Sequence, residues 1–255
     1  MSVFNYNNLK VKESSKKILF NGEHPSYIDR FIKITGIKLD LVIGFTQNAS
    51  DNINNITQIY YPLWILYYDN VYSQEYFDKR NQELTKIDNL LNKKFCCLIN
   101  SHDMNNTRTP IYNILNKIKK VDCPGKLLNN MKSIGSSSED KIDFIKNYIF
   151  NICSENGIGS NYFTEKLPQC IDGNCIPIYC GDMGTFNEKI FNKNRIIFVS
   201  NKNDLLELEN KIKDFMSNKQ KLIDFYKQPI FNNNTYNNIV KIKEIAKLII
   251  NKIIK

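Results

Sequence analysis

An α/β protein with parallel sheet is the fold class this sequence predicts, and three observations predict it. Short apolar runs alternate with segments of helical period along the chain. Tyr148 to Gly181 is one complete strand, loop, helix and strand unit. A hydrophobic content of 42% and an aromatic content of 12% in 255 residues suffice for a substantial core of one large or two small domains.

In order along the chain, 17–21 reads as a strand entering the turn Gly22-Glu23-His24-Pro25-Ser26, and 39–45 (LDLVIGF) as a second, buried strand. The aromatic run 58–68 is interrupted by Pro62, so a strand should end there and a short helix or loop follow. Residues 75–92 are charged and read as a helix leading to a linker. A second unit begins at Lys93 with strand 95–99. Ile111, Ile114, Leu115 and Ile118 then recur at helical spacing over 109–119. Val121-Asp122, a Pro124-Gly125 turn and a helix over 138–147 come next, with Glu139 and Asp140 suited to its first turn. Strands at 149–153, 175–179 and 195–199 extend the βα pattern, and amphipathic helices are expected over 204–215 and 237–254. No internal repeat is visible.

Charge and cysteine usage bound the partners. A net charge of +9 suits anionic ligands. No basic run of five residues occurs and aromatics do not interleave with cations, which argues against nucleic acid. The seven cysteines lack metal-type spacing, and His24 and His102 are the only histidines, so a zinc site is not expected. Cys96, Cys97, Cys153 and Cys175 lie in apolar runs and read as reduced thiols. The N-terminal residues lack a signal-peptide core and no apolar run spans a bilayer, giving a cytoplasmic expectation. The Ile- and Lys-rich last helix could lie on a membrane surface, but packing against the core is favoured.

The unit at 148–181 carries the chemistry. A strand that runs into a Gly-bearing loop (155–161) and then a helix start at Thr164-Glu165-Lys166 is suited to cradling phosphates. Lys166 in the first turn opposes the helix dipole, as a cation answering a ligand's negative charge would. Strand, loop, helix and strand is also the commonest unit of any α/β protein, and a solvated lysine would look the same.

The residues narrow the choice. Glu155-Asn156, Tyr162-Phe163-Thr164-Glu165-Lys166, Gly173 and Pro177-Ile178-Tyr179-Cys180-Gly181 stand in the order of the donor-binding motif of the α-1,3-fucosyltransferases, glycosyltransferase family ten, which the chain resembles over about residues 17–200. Arg108 stands in the family's Arg position, and the segment Phe20 to Ser26 is similar to the one that bears its catalytic Glu. The family commonly has Phe before the Glu-Asn pair, Ser after it, and Trp before the last Gly. This chain has Ser154, Gly157 and Cys180.

The resemblance implies a GT-B-like fold of two Rossmann-like units with C-terminal helices. The N-terminal unit is shortened, because only about 90 residues precede the donor unit. The expected divisions are an acceptor-side unit at 1–92, a donor-binding unit at 93–230 and a C-terminal helix at 231–255. The implied activity is inverting transfer of fucose from GDP-fucose to a hydroxyl of an acceptor glycan. Glu23 is the implied general base. Arg108 and Lys166, with the helix start at Thr164, would stabilise the departing diphosphate. Glu165 would hold the ribose, and Asn156 and Tyr162 would contact the donor. No metal is obligatory in that mechanism. A non-catalytic nucleotide-sugar or glycan-binding relic of the same fold is the alternative.

Overall fold

The computed structural model describes residues 12–46, 50–53, 55–87, 89–159 and 161–255. Two sheets form. In the first, β1 (Ile18–Phe20), β2 (Leu41–Gly44) and β4 (Ile56–Tyr60) run parallel, and β3 (Ser50–Ile53) pairs antiparallel with β4, in the order β1-β2-β4-β3. Helix α1 (Ser26–Thr35) is the crossover between β1 and β2 and ends at Gly36, whose φ of 64° is the left-handed cap that glycine adopts without strain. Its Ile28 and Phe31 pack on Leu39, Val42 and Ile56. Pro62 ends the β4 segment, and a 3-10 helix at Leu63–Tyr68 follows it. Helix α2 (Gln74–Leu84) then leads away to the second sheet.

The second sheet is wholly parallel, in the order β6-β5-β7-β8-β9. Its strands are β5 (Lys94–Leu98), β6 (Val121–Asp122), β7 (Tyr148–Ile152), β8 (Ile176–Tyr179) and β9 (Ile197–Phe198). Helices α3 (Arg108–Ile118), α4 (Ser138–Ile145), α5 (Lys166–Asp172) and α6 (Gly184–Glu188) connect them in turn. Every residue of β7 and β8 is buried, because helices cover both faces. Ile111 and Leu115 of α3 pack on one face with Leu208 and Ile212 of α7 (Lys202–Ser217) and Leu222 of α8 (Lys219–Tyr226). Ile145 of α4 and Leu167 and Ile171 of α5 belong to the core on the other face.

That second core is continuous between the sheets. Phe45, Tyr60 and Trp64 from the first unit join Tyr162, Phe163 and Phe191 from the second. Polar links cross the same boundary: the Tyr60 hydroxyl donates to Asn187 Oδ1 at 3.0 Å, and Asn161 Nδ2 donates to the Thr46 carbonyl at 2.6 Å.

The last helix, α9 (Thr235–Ile254), returns to the first sheet. Its Ala246 is buried with Leu41 and Ile59, and Ile249, Ile250 and Ile253 pack on the same cluster. The apolar face of this helix therefore lies on protein, while Leu248 and Ile254 stay exposed. Among the described residues no helix is long and apolar enough to cross a membrane. All seven cysteines are buried and unpaired.

Candidate active site

Strand order locates the site. Numbered within the second sheet alone, the order is 2-1-3-4-5, so the direction of winding reverses between β5 and β7. Loops leaving the carboxyl ends of two strands diverge at such a switch point and leave a crevice. Here they are the segment after β5, through His102 to Thr107, and the segment after β7, through Cys153 to Asn161. A cavity of about 460 Å³ opens between them, lined by Ser101, His102, Asn156, Glu165, Lys166 and Gln169 among others. Its far wall is Pro124-Gly125-Lys126 and the Ser133 to Ser136 loop.

Glu155 organises the β7 loop. Its carboxylate is fully buried and accepts from the Thr164 amide (2.8 Å), the Thr164 hydroxyl (2.7 Å), Lys166 Nζ (3.2 Å) and the Tyr179 hydroxyl (3.3 Å). A Cβ at Gly181 would stand 2.8 Å from Glu155 Cγ and 2.5 Å from the Tyr179 hydroxyl, so only glycine lets the chain pass there. The sequence reading offers the helix start at Thr164 and the charge of Lys166 to a ligand. The structure corrects it in part: the amide of Thr164 is taken by the chain's own carboxylate, and Lys166 answers that charge first. Lys166 also donates to Thr164 Oγ1 at 3.1 Å, and among the described residues its third N–H has no acceptor. The ammonium lines the cavity with its side chain 18% exposed.

The β5 loop has a parallel arrangement. Asp103 Oδ1 accepts from the amides of Thr107 (2.9 Å) and Arg108 (3.1 Å), and Oδ2 from that of Thr109 (2.7 Å). These bonds outweigh burial, which acts to raise its pKa, and hold the Asp103 carboxyl below its ordinary range. The first turn of α3 is thereby closed to an outside anion.

Arg108 itself is 1% exposed. Its guanidinium donates to the carbonyls of His102 and Ser154 (2.9 Å to the latter) and to Asn156 Oδ1 at 2.7 Å, and burial lowers its pKa. It stands behind the cavity wall and ties the two switch-point loops together, a different placement from the reach to a diphosphate that the resemblance implies. Its Nε is buried with no partner among the described residues.

Glu23 comes from the other sheet. Asn21, at the end of β1, shapes the turn: its Nδ2 donates to the Glu23 carbonyl (2.9 Å) and its Oδ1 accepts from the Glu23 amide (3.2 Å). Burial pushes the Glu23 carboxyl above its ordinary range. Lys166 pulls the other way, Glu165 and Glu155 add to the rise, and His102 opposes it. Those four groups act on Glu23 only because the fold sets it opposite the loops that follow β5 and β7.

His24 closes the approach. Its ring meets Tyr162 edge-on at 5.2 Å, and a Cβ on Gly157 would lie 2.5 Å from its Cδ2. Gly157, where the family commonly has Ser, makes room for this histidine. Tyr162 is 1% exposed, packs edge-on against Phe45 at 4.9 Å, and has its pKa raised by burial, then by Glu155 and Glu23. A second cavity of about 650 Å³ opens here, lined by Glu23, His24, Tyr27, Arg30, His102 and Asn156 among others. His102 and Asn156 line both cavities.

Of the six residues singled out from sequence, Asn156, Glu165 and Lys166 line the first cavity and Glu23 and Asn156 the second. Tyr162 and Arg108 are buried supports beside them. Sequence reasoning did not single out Glu155, Asp103 or His102 as organising residues. Glu155 had a signal, its place in the Glu-Asn pair. Asp103 had one too, an acidic residue just ahead of a helix start.

A wholly parallel switch-point sheet facing a second α/β sheet, with a return helix joining them, is a fold of the GT-B glycosyltransferase type. The chain belongs to glycosyltransferase family 10 (fucosyltransferase): the model of that family's C-terminal region matches residues 90–240. It is similar to "Putative fucosyltransferase R654" of Acanthamoeba polyphaga mimivirus, with 31% identity over 176 residues, 63% of this chain and 28% of that protein. It is similar also to the "Alpha-(1,3)-fucosyltransferase FucT" of Helicobacter pylori, with 33% identity over 104 residues, 40% of this chain and 21% of that protein. The aligned region thus spans under a third of each of these curated relatives. Among solved structures, an α1,3-fucosyltransferase with GDP-fucose superposes with a TM-score of 0.66 at 21% identity, covering 96% of this chain and 79% of that one. One with GDP gives 0.60 at 21%, covering 94% and 92%. These two establish the shared fold.

Proposed function

We propose that the chain transfers fucose from GDP-fucose to a hydroxyl of an acceptor glycan with inversion at the anomeric carbon. Residues 93–230 bind the donor, 1–92 supply the acceptor side, and 231–255 fasten the two. The observation that carries this reading is the convergence of Glu23 with Asn156, Glu165 and Lys166, from two separate sheets, on two cavities that share a wall. GDP-fucose occupies the first cavity, with Glu165 on the ribose hydroxyls and Lys166 turned to the diphosphate. The acceptor enters the second.

Glu23 takes the proton of the acceptor hydroxyl as that oxygen attacks the anomeric carbon and the bond to the diphosphate breaks. A base with a pKa raised from the ordinary carboxylate value is better matched to a hydroxyl proton. The Lys166 ammonium stabilises the charge that grows on the leaving diphosphate. Arg108 acts through Asn156 and the His102 carbonyl, holding both loops at the spacing the donor needs.

Calorimetric titration with GDP-fucose, beside UDP-glucose as control, tests the donor half. Binding by the wild type that is weakened at least tenfold in Lys166→Ala is expected. A folded wild type that binds neither nucleotide overturns the assignment. Binding with no transfer to any acceptor in a glycan screen would favour the non-catalytic alternative.

A further inference from the structure

We infer that the acceptor carries an acidic group, a carboxylate or a sulfate ester, and that Arg30 recognises it. This rests on the reading above, in which the second cavity holds the acceptor. The phase of α1 is the first argument. Ile28 and Phe31 turn into the core, at 4% and 7% exposure. Ser26, Tyr27 and Arg30, at spacings of three and four residues, share the opposite face and line the cavity together. Packing of the helix, not the freedom of a long side chain, therefore sets Arg30 on that wall.

Charge is the second. Among the residues that line the cavity, Glu23 is the one carboxyl and Arg30 the one permanent cation, beside His24, His102 and Tyr27. Among the described residues Arg30 has no carboxylate within salt-bridge range, although eleven such pairs form elsewhere, so its guanidinium is open to an incoming anion. Arg30 and Glu23 line the same cavity, so a saccharide bound there meets both. Tyr27 offers a ring to the intervening sugar, and exposed Met104 and Ile158 form an apolar rim.

The test uses the full chain and three disaccharides that differ in one substituent: neutral, carboxylated and sulfated. Saccharide binding is read first without donor, by NMR titration. The wild type should bind at least one acidic form about tenfold more tightly than the neutral one, and Arg30→Gln should remove that difference without changing neutral binding. Arg30→Lys should restore part of it, more for the sulfate than for a carboxylate that uses both arms of the guanidinium. The two acidic arms tell which acid is read. Equal binding of all three by the wild type, or an equal loss for all three in Arg30→Gln, overturns the inference. If GDP-fucose fails to bind while the acidic preference persists, the transferase reading falls and the anion site stands.

Discussion

Glu23 faces two demands at the scale of single residues. As a base it must be ionised, yet half-burial among Glu165 and Glu155 favours the neutral acid. A carboxyl whose folded pKa exceeds its unfolded one holds its proton more tightly in the native state. The stability this gives is complete below the unfolded pKa and is lost as pH rises through the folded one. Glu23→Gln should therefore raise the melting temperature at about pH 7 and leave it unchanged at about pH 4. The same variant should lose about a hundredfold or more of transfer while GDP-fucose binding persists. A transfer rate within a fewfold of wild type would remove Glu23 from the base role. In the wild type, kcat/KM should fall on the acid side with a midpoint above the ordinary carboxylate range. Glu155 is the converse case, a fully buried carboxylate with four donors. Glu155→Ala strands Lys166 and the Thr164 hydroxyl, and should cost about 3–5 kcal/mol in urea unfolding.

At the scale of elements, helix ends matter more than helix faces. Helix α4 starts in a capping box: Ser137 Oγ accepts from the Asp140 amide at 3.0 Å, and Asp140 Oδ2 accepts from the Ser137 amide at 3.2 Å. Ser137→Ala should cost about 1 kcal/mol in denaturant unfolding, and it loosens the Ser133 to Ser136 wall of the donor cavity. Strands β5, β7 and β8 were legible because short, mainly apolar runs, broken in β7 only by Asn151, fit nothing else so well. Pro62 marked the end of β4 and the 3-10 turn that follows it. Helix α1 had a signal that the sequence reading missed: Ile28, Phe31 and Ile32 stand at helical spacing ahead of the capping Gly36, and all three pack on the first sheet. Strand β3, SDNI, has no strand-like composition; its pairing with β4 makes it a strand. Helix α6 has only five residues, and α8 follows α7 with Asn218 alone between them, so neither shows a period of its own.

At the scale of the whole molecule, the two sheets are held at one separation by a shared aromatic core and by α9. Trp64, Phe163 and Phe191 meet edge-on or stacked with centroids 5.3–6.0 Å apart. Ala246→Glu places an unpaired charge between α9 and the first sheet and should cost about 3 kcal/mol or more. If α9 sets the position of Glu23, the variant should lose transfer well before it loses GDP-fucose binding in a temperature series. Equal decline of both would show that the sheets fail together.

The sequence by itself determined the parallel α/β class, the order of most elements in the second unit, and the motif residues of the β7 loop. Those features are local: apolar runs, helical spacing and a dozen residues in fixed order are written in adjacent positions. Tertiary structure alone decided what Lys166 and the Thr164 amide hold, that Arg108 stands behind the wall, and that Arg30 faces the cavity with Glu23. Each depends on which groups the fold sets face to face, whether 9 residues apart, as Thr164 and Glu155 are, or 48, as Arg108 and Asn156 are. A charge takes its role from the nearest charge in space, and spacing along the chain does not encode that distance.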